Sequence, residues 1–365
     1  MLNKLKPKSE FSRNVLTLMT GTTIAQAIPI AISPILTRIY TPDDFGVFAL
    51  YIAITAIFGS IANGRYELAL MLPKKDEDAI NIFALGFIIT SFISLLILVL
   101  VIVFNDYFTK LLNNNEISAW LYFIPIAVFF TGLWNALNYF NNRKKQYKDL
   151  AKATIIKSIV TAIVQLSVGF VKSGATGLIS GQILSQLFAN TKLLSNIVKD
   201  KILLSNISKV KVIALAKRYK DFPKFQAPHA LLNTFSSNMP IYMFSAFFSS
   251  TAVGFYSLST RIVFSPLMII SGASAKVYNQ KVSEIYNNNG DSYSFTIRLL
   301  KSLLKKIILP FLLIVIFAPD IFSFIFGEVW REAGIYTQIL SPWLFMVFYV
   351  STVSFITIII NIKKK

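Results

Sequence analysis

The chain has no cysteine and a single histidine, His229. Without cysteine there is no disulfide, iron–sulfur cluster or thiolate zinc site. One histidine excludes a multi-histidine metal centre, and no metal or other cofactor is expected. Charge is scarce as well: 15% of residues are charged, against about 25% in soluble domains. Acids are the scarcer sign, 17 against 36 lysines and arginines. No glycine-rich phosphate loop occurs, and no nucleophile beside a histidine motif. The longest polar loop holds about 30 residues, too few for the soluble domain of a glycosyltransferase or ligase, or for the large outer loop of a polysaccharide polymerase. An enzyme is therefore not expected.

What the chain does have is hydrocarbon. Hydrophobic residues make up 55% of its 365, and the mean hydropathy is +0.61. No charge falls between Asn14 and Thr37, or between Phe45 and Gly64. A helix needs roughly 20 apolar residues to cross a bilayer, and such runs recur along the chain. They predict an all-α polytopic membrane protein of about ten spans: 14–37, 45–64, 79–104, 117–142, 153–171, 173–191, 225–248, 253–275, 299–319 and 333–362. The basic N-terminus precedes a run too long for a signal peptide and without a small-residue cleavage site, so a retained first span is expected.

The basic residues are distributed unevenly. With the N-terminus inside, 31 of the 36 lysines and arginines fall in inward segments and four in outward turns. That asymmetry follows the positive-inside rule and places both termini in the cytoplasm. Clustering of this kind gives no reason to expect nucleic acid as a partner. Lys301, Lys305 and Lys306 weaken the ninth span unless they snorkel to the headgroups.

A shift of 208 residues lays FGVFALY (45–51) over VGFYSLS (253–259), and VFNDYF (103–108) resembles FAPDIF (317–322). The expected organisation is a first six-helix bundle over 1–191, a basic cytoplasmic linker over 192–224, and a second, incomplete bundle of four helices over 225–365. Halves in the same orientation would be related by a pseudo-two-fold axis along the membrane normal, as in several transporter folds.

Four stretches carry a resemblance: PILTRIYTPDDFGVFALY (34–51), NGRYELALMLPK (63–74), PKFQAPHALLNTFSSNMP (223–240) and FGEVWREAG (326–334). They resemble the Wzx-type flippases, the polysaccharide transporter branch of the multidrug/oligosaccharidyl-lipid/polysaccharide exporter superfamily. The resemblance implies two six-helix bundles around a central cavity. It also implies transport of undecaprenyl-pyrophosphate-linked oligosaccharide, an O-antigen or capsule repeat unit, from the inner to the outer leaflet of the bacterial cytoplasmic membrane. Partners implied are that lipid-linked oligosaccharide, membrane lipids, and the polysaccharide polymerase and chain-length proteins of such pathways. Twelve spans would be usual, so the second bundle is expected to be truncated from six to four. A drug or cation exporter of the same superfamily, or an inactive flippase fragment, are the alternatives.

Ionisable groups inside spans are costly and usually face a cavity or a partner. The cation candidates for a substrate path are Arg261, Arg65, Lys157 and Arg38. Arg261 lies in SLSTRIVFSP, where the span supplies no acid, and its guanidinium fork suits phosphate oxygens. Arg38 is expected to pair locally with Asp43 and Asp44. Glu67 and His229 are candidates for gating or coupling. Gln26, Asn135, Asn138, Asn233 and Asn238 are polar enough to line a cavity suited to sugar hydroxyls, or to bond between helices. Trp120, Trp330 and Trp343 are expected as interfacial belt anchors.

Overall fold

The computed structural model describes residues 10–172, 174–287 and 290–353. Residues 1–9, which hold the basic start, and 354–365, which hold the end of the tenth expected span and the terminal lysines, lie outside the described residues. All described elements are helical: α1 (Glu10–Ile39), α2 (Pro42–Ile61), α3 (Asp76–Leu111), α4 (Ile117–Leu121), α5 (Ile124–Arg143), α6 (Tyr147–Gly169), α7 (Thr176–Val198), α8 (Lys201–Ser205), α9 (Lys209–Arg218), α10 (Ala227–Phe247), α11 (Ser250–Asn287), α12 (Ser292–Phe326) and α13 (Arg331–Val353). Short 3₁₀ turns cover Tyr66–Met71 and Glu328–Trp330, and a π turn, Phe222–Gln226, leads into α10.

Nine of the ten expected spans overlap one described helix of at least 20 residues, and the fourth overlaps α4 and α5. Six helical stretches are also apolar enough to cross a membrane: Thr17–Ile39, Pro42–Ile61, Asp76–Leu111, Tyr147–Gly169, Ser292–Phe326 and Glu328–Val353. Several expected boundaries move. The third span was expected to stop at Phe104. The helix instead kinks there (φ −117°, ψ 18°) and runs on to Leu111. The fourth is interrupted at Tyr122–Phe123, because Pro125 in the first turn of α5 has no N–H to continue α4.

The hairpin between α1 and α2 shows how sequence sets local structure. Pro42 opens α2, and the Thr41 side chain accepts from the Asp44 N–H at 3.2 Å. The Asp44 carboxylate in turn accepts from the Thr41 N–H at 2.8 Å, closing a capping box. The Arg38 pairing expected with these aspartates is not formed. Asp44 is turned onto Thr41, Arg38 is exposed, and no ion pair of Arg38 exists among the described residues. Inside α1, Pro29 and Pro34 are tolerated. The hydroxyls of Ser33 and Thr37 donate back to the carbonyls of Pro29 (2.6 Å) and Pro34 (3.1 Å), as membrane helices allow.

The chain packs as two compact units, Met1–Gly254 and Phe255–Lys365. In the first unit α6 packs on α1 and α7, α5 on α2, α3 and α7, and α10 on α2. One core cluster gathers Leu70, Ile80, Leu137, Leu193, Val212 and Leu215, and a second, toward the α1–α2 hairpin, gathers Leu50, Val101, Ile117, Val128 and Ile179. Val212 and Leu215 belong to the basic stretch after α7, which packs as α8 and α9 against α3. Asn81 holds it there by donating to the Asn206 carbonyl (2.9 Å) and accepting from the Ser208 N–H (2.8 Å).

At the hairpin end of this unit the starts of α2 and α11 cross at glycine. A Cβ on Gly46 would overlap the Ser250 carbonyl, and one on Gly254 would overlap the Pro42 carbonyl. The 208-residue shift that aligns Gly46 with Gly254 also aligns Pro42 with Ser250, so the contact is reciprocal under the repeat read from sequence. Asn114 donates to the Ser250 hydroxyl at 2.7 Å and ties the loop after α3 to the same crossing.

The second unit is built from α11, α12 and α13. Ser259 donates to the Ala333 carbonyl at 2.5 Å, and Gly334 lies against the Ala318–Pro319 backbone. Trp330, expected as a belt anchor, is 1% exposed and packs edge-on against Phe255, with centroids 6.0 Å apart. The reason is local: the 3₁₀ turn folds the indole back onto α11. Trp343 is half-exposed and stacks on Phe264.

Candidate functional site

Polar side chains in apolar helices need partners, and their partners trace a seam through the first unit. Lys157 lies well inside α6, about 15 Å along the helix from Tyr147. Its Nζ sits 5.5 Å above the Trp134 ring on α5. A cation over an indole face is stabilised by about 0.5–2 kcal/mol, more as water is removed. The neighbouring Ser158 donates to the Ala25 carbonyl of α1 at 2.7 Å. One residue past the tryptophan, Asn135 reaches the Gly59 carbonyl of α2 at 3.4 Å. One turn before it, Thr131 donates to Gln186 of α7 at 3.2 Å. Five helices, α1, α2, α5, α6 and α7, thus contribute to the seam around the Lys157–Trp134 pair.

A second polar site lies where α2 ends. Gly64 and Arg65 both adopt left-handed backbone (φ 58° and 64°), so the chain turns sharply after α2. For arginine this conformation is uncommon. The turn sets Arg65 beside Glu67, with Nη1 3.2 Å from Oε1. Glu67 is 3% exposed, and burial raises its carboxyl above the usual range despite Arg65. Its other oxygen, Oε2, has no hydrogen-bond partner among the described residues. Asn63, just before the turn, donates to Thr90 at 2.9 Å. Arg143 clamps the far side of the same loop. It donates to the carbonyls of Leu70 (3.2 Å) and Pro73 (2.8 Å) and to Asp76 (2.9 Å).

The remaining sequence candidates are dispersed. Asn138 is half-buried on α5, and Gln26, His229 and Asn233 are exposed. Asn238 donates to the Thr234 carbonyl of its own helix at 2.8 Å. Arg261 is half-buried on α11, near the start of the second unit. Of the named cations and amides, the structure brings Lys157 and Asn135 to one seam and pairs Arg65 with Glu67. Sequence reading missed Trp134, Arg143 and Gln186. Trp134 carried a usable signal: it stands mid-helix, between Thr131 and Asn135, where an interfacial anchor has no reason to be. Arg143 carried none, because its partners are backbone carbonyls of a distant loop.

One comparison bears on the family and one on the fold. Residues 35–334 match the family described as polysaccharide biosynthesis protein. A solved MATE family multidrug resistance transporter of the MOP superfamily, in an inward-facing conformation, superposes with a TM-score of 0.55 at 14% identity, covering 92% of this chain and 81% of that one. The MATE transporter ClbM, solved in complex with Rb+, aligns with a TM-score of 0.45 at 16% identity over 93% of this chain and 78% of that one. No curated protein sequence matches the chain.

Proposed function

The chain belongs to the polysaccharide biosynthesis protein family, and we propose that it is a flippase for undecaprenyl-pyrophosphate-linked oligosaccharide, moving the repeat unit of an O-antigen or capsule from the inner to the outer leaflet. It is a multi-pass membrane protein with the fold of a MATE transporter. The Lys157–Trp134 pair, with Asn135 beside it, is the observation that carries the reading. A lipid-linked sugar carries hydroxyls and a pyrophosphate, all expensive to expose to hydrocarbon. A seam offering an ammonium, an indole face and an amide meets all three needs: charge for phosphate, a flat apolar face for sugar C–H groups, and hydrogen bonds for hydroxyls. Arg261, in the second unit, is proposed separately as a phosphate-binding cation, because a guanidinium fork suits phosphate oxygens. Under this reading the α1–α2 hairpin faces outward, both termini are cytoplasmic, and the membrane is the bacterial inner membrane.

The test is export in a flippase-null strain. Lys157→Ala and Trp134→Ala should lower surface glycan at least tenfold at unchanged protein level, with lipid-linked repeat units accumulating on the inner leaflet. Arg261→Ala should abolish export and Arg261→Lys retain a fraction. Full export by Lys157→Ala would remove the seam from the path.

A second reading, export of a drug or cation, draws on Glu67, a buried carboxylate with one unpartnered oxygen. Proton-coupled efflux of a cationic dye, lost in Glu67→Gln while glycan export persists, would favour it.

A further inference from the structure

The first unit leaves an elongated apolar groove of about 440 Å³ between α2, α3 and α10. Phe58 lines it from α2, Val101 from α3, and Phe235, Met239 and Phe247 from α10. From Phe235 to Phe247 it follows α10 for about 18 Å. At its hairpin end Ser245 donates to the Leu112 carbonyl at 2.7 Å and pins α10 to the end of α3. Every side chain in the lining is hydrocarbon or thioether except Tyr242. The Tyr242 ring stacks on Phe235, with centroids 5.7 Å apart, and its buried hydroxyl has no partner among the described residues.

We propose that this groove holds the isoprenoid tail of the lipid-linked substrate while its head engages the Lys157–Trp134 seam; the assignment rests on the flippase reading above. Three observations select that occupant. A peptide or a second copy of the chain would bring backbone donors and acceptors that find only one hydroxyl there. A saturated acyl chain leaves that hydroxyl with nothing, whereas an isoprenoid presents one carbon–carbon double bond in every isoprene unit, a weak π acceptor for it. Continuity with the seam is the third. Phe58 of the groove precedes Gly59, whose carbonyl takes the Asn135 amide, and Ile124 of the groove lies on the same helix as Trp134. One substrate molecule can therefore lie along α2 and α5, head toward the α2–α3 turn and tail toward the hairpin. Met239 and Met243 give the lining the adaptability that a long branched chain requires.

The experiment uses the full chain in nanodiscs of phosphatidylethanolamine and phosphatidylglycerol. The two probes are a polyprenyl monophosphate with a diazirine in its tail, which carries no sugar, and a phosphatidylglycerol with a diazirine acyl chain. The polyprenyl probe is expected to label α10 and α2 at the groove at least fivefold over Phe92, Leu95 and Ile102, which are exposed on α3. Excess undecaprenyl phosphate should compete, and excess phosphatidylglycerol should not. Ala246→Trp and Met243→Phe, two independent fillings of the groove, should each remove the label, with elution profile and melting temperature reporting the fold. Tyr242→Phe should reduce the preference for the polyprenyl probe over the acyl probe. Uniform labelling, equal competition by phosphatidylglycerol, or labelling unchanged in both filled variants would overturn the assignment. Lys157→Ala separates the two readings. Groove labelling retained with export lost supports both. Labelling retained with export intact removes only the head site, and labelling absent in a chain that exports lipid-linked glycan removes only the tail groove.

Discussion

Replacing Gly46 or Gly254 by alanine tests the crossing of α2 and α11 directly. A Cβ on Gly46 would lie 2.6 Å from the Ser250 carbonyl carbon and 3.0 Å from its Cα. On Gly254 it would lie 2.8 Å from the Pro42 carbonyl carbon and 3.2 Å from the Gly46 nitrogen. Ordinary contact begins near 3.4 Å, and the obstacles are backbone atoms that no rotamer change can move. The helices must separate by roughly an ångström. Overpacking of this kind costs about 1–3 kcal/mol, and parting the helices also strains the 2.7 Å Asn114–Ser250 bond, worth about 1 kcal/mol. Against this, alanine in a helix gains about 0.5–1 kcal/mol over glycine. The net expectation is a loss of about 1–3 kcal/mol for each single variant. Because both methyls push the same pair of segments apart, the double variant should cost less than the sum. Gly272→Ala is the control, since its Cβ would meet nothing within 4 Å. It should be neutral or slightly stabilising. Thermal and denaturant unfolding in detergent measure these differences. Gly46→Ala indistinguishable from Gly272→Ala, or strict additivity in the double variant, would refute the crossing.

Glu67 makes stability depend on pH. Burial raises its carboxyl from the ordinary value of 4.5, so between that value and the raised one the folded chain binds more protons than the unfolded chain. Stability therefore falls as pH rises through that window; Glu67→Gln should flatten the melting-temperature profile there and be the more stable protein above it. Arg143→Ala removes a clamp on two carbonyls and Asp76. It should cost about 2–4 kcal/mol, because the acceptors stay half-buried without their donor, and limited proteolysis should then cut first within the α2–α3 turn. Asn81→Ala should release the α8–α9 segment, read as faster hydrogen exchange at Ser208, whose N–H it now accepts. Reporter fusions at Asp44, Asn114 and Thr251 should read outside, and those at Lys75, Lys145 and Asp200 inside. The reverse at any position would sink the ten-span topology.

The positions of the helices were legible in sequence because a bilayer-spanning helix must be apolar over its whole length, and uncharged runs record that need without reference to any neighbour. The hairpin cap is local in a similar way: Thr41 and Asp44, close in sequence, close it between themselves. The glycine crossing was half-legible. The 208-residue shift aligned Gly46 with Gly254, but alignment says nothing of contact; only packing showed each facing the other's carbonyl neighbour. Residue partners were the least legible. Arg38 stood close in sequence to two aspartates, yet Asp44 closes its own helix cap, while Arg143 finds its acceptors on a turn near residue 70. Trp330 read as an interfacial anchor and is buried. Lys157 read as a cation of the substrate path, and only the structure sets its ammonium over an indole on the neighbouring helix. Hydropathy is a property of one segment and survives in the sequence of that segment. Where a cation, a carbonyl or a ring finds its partner depends on which faces of separate helices meet, and that is decided only when they pack.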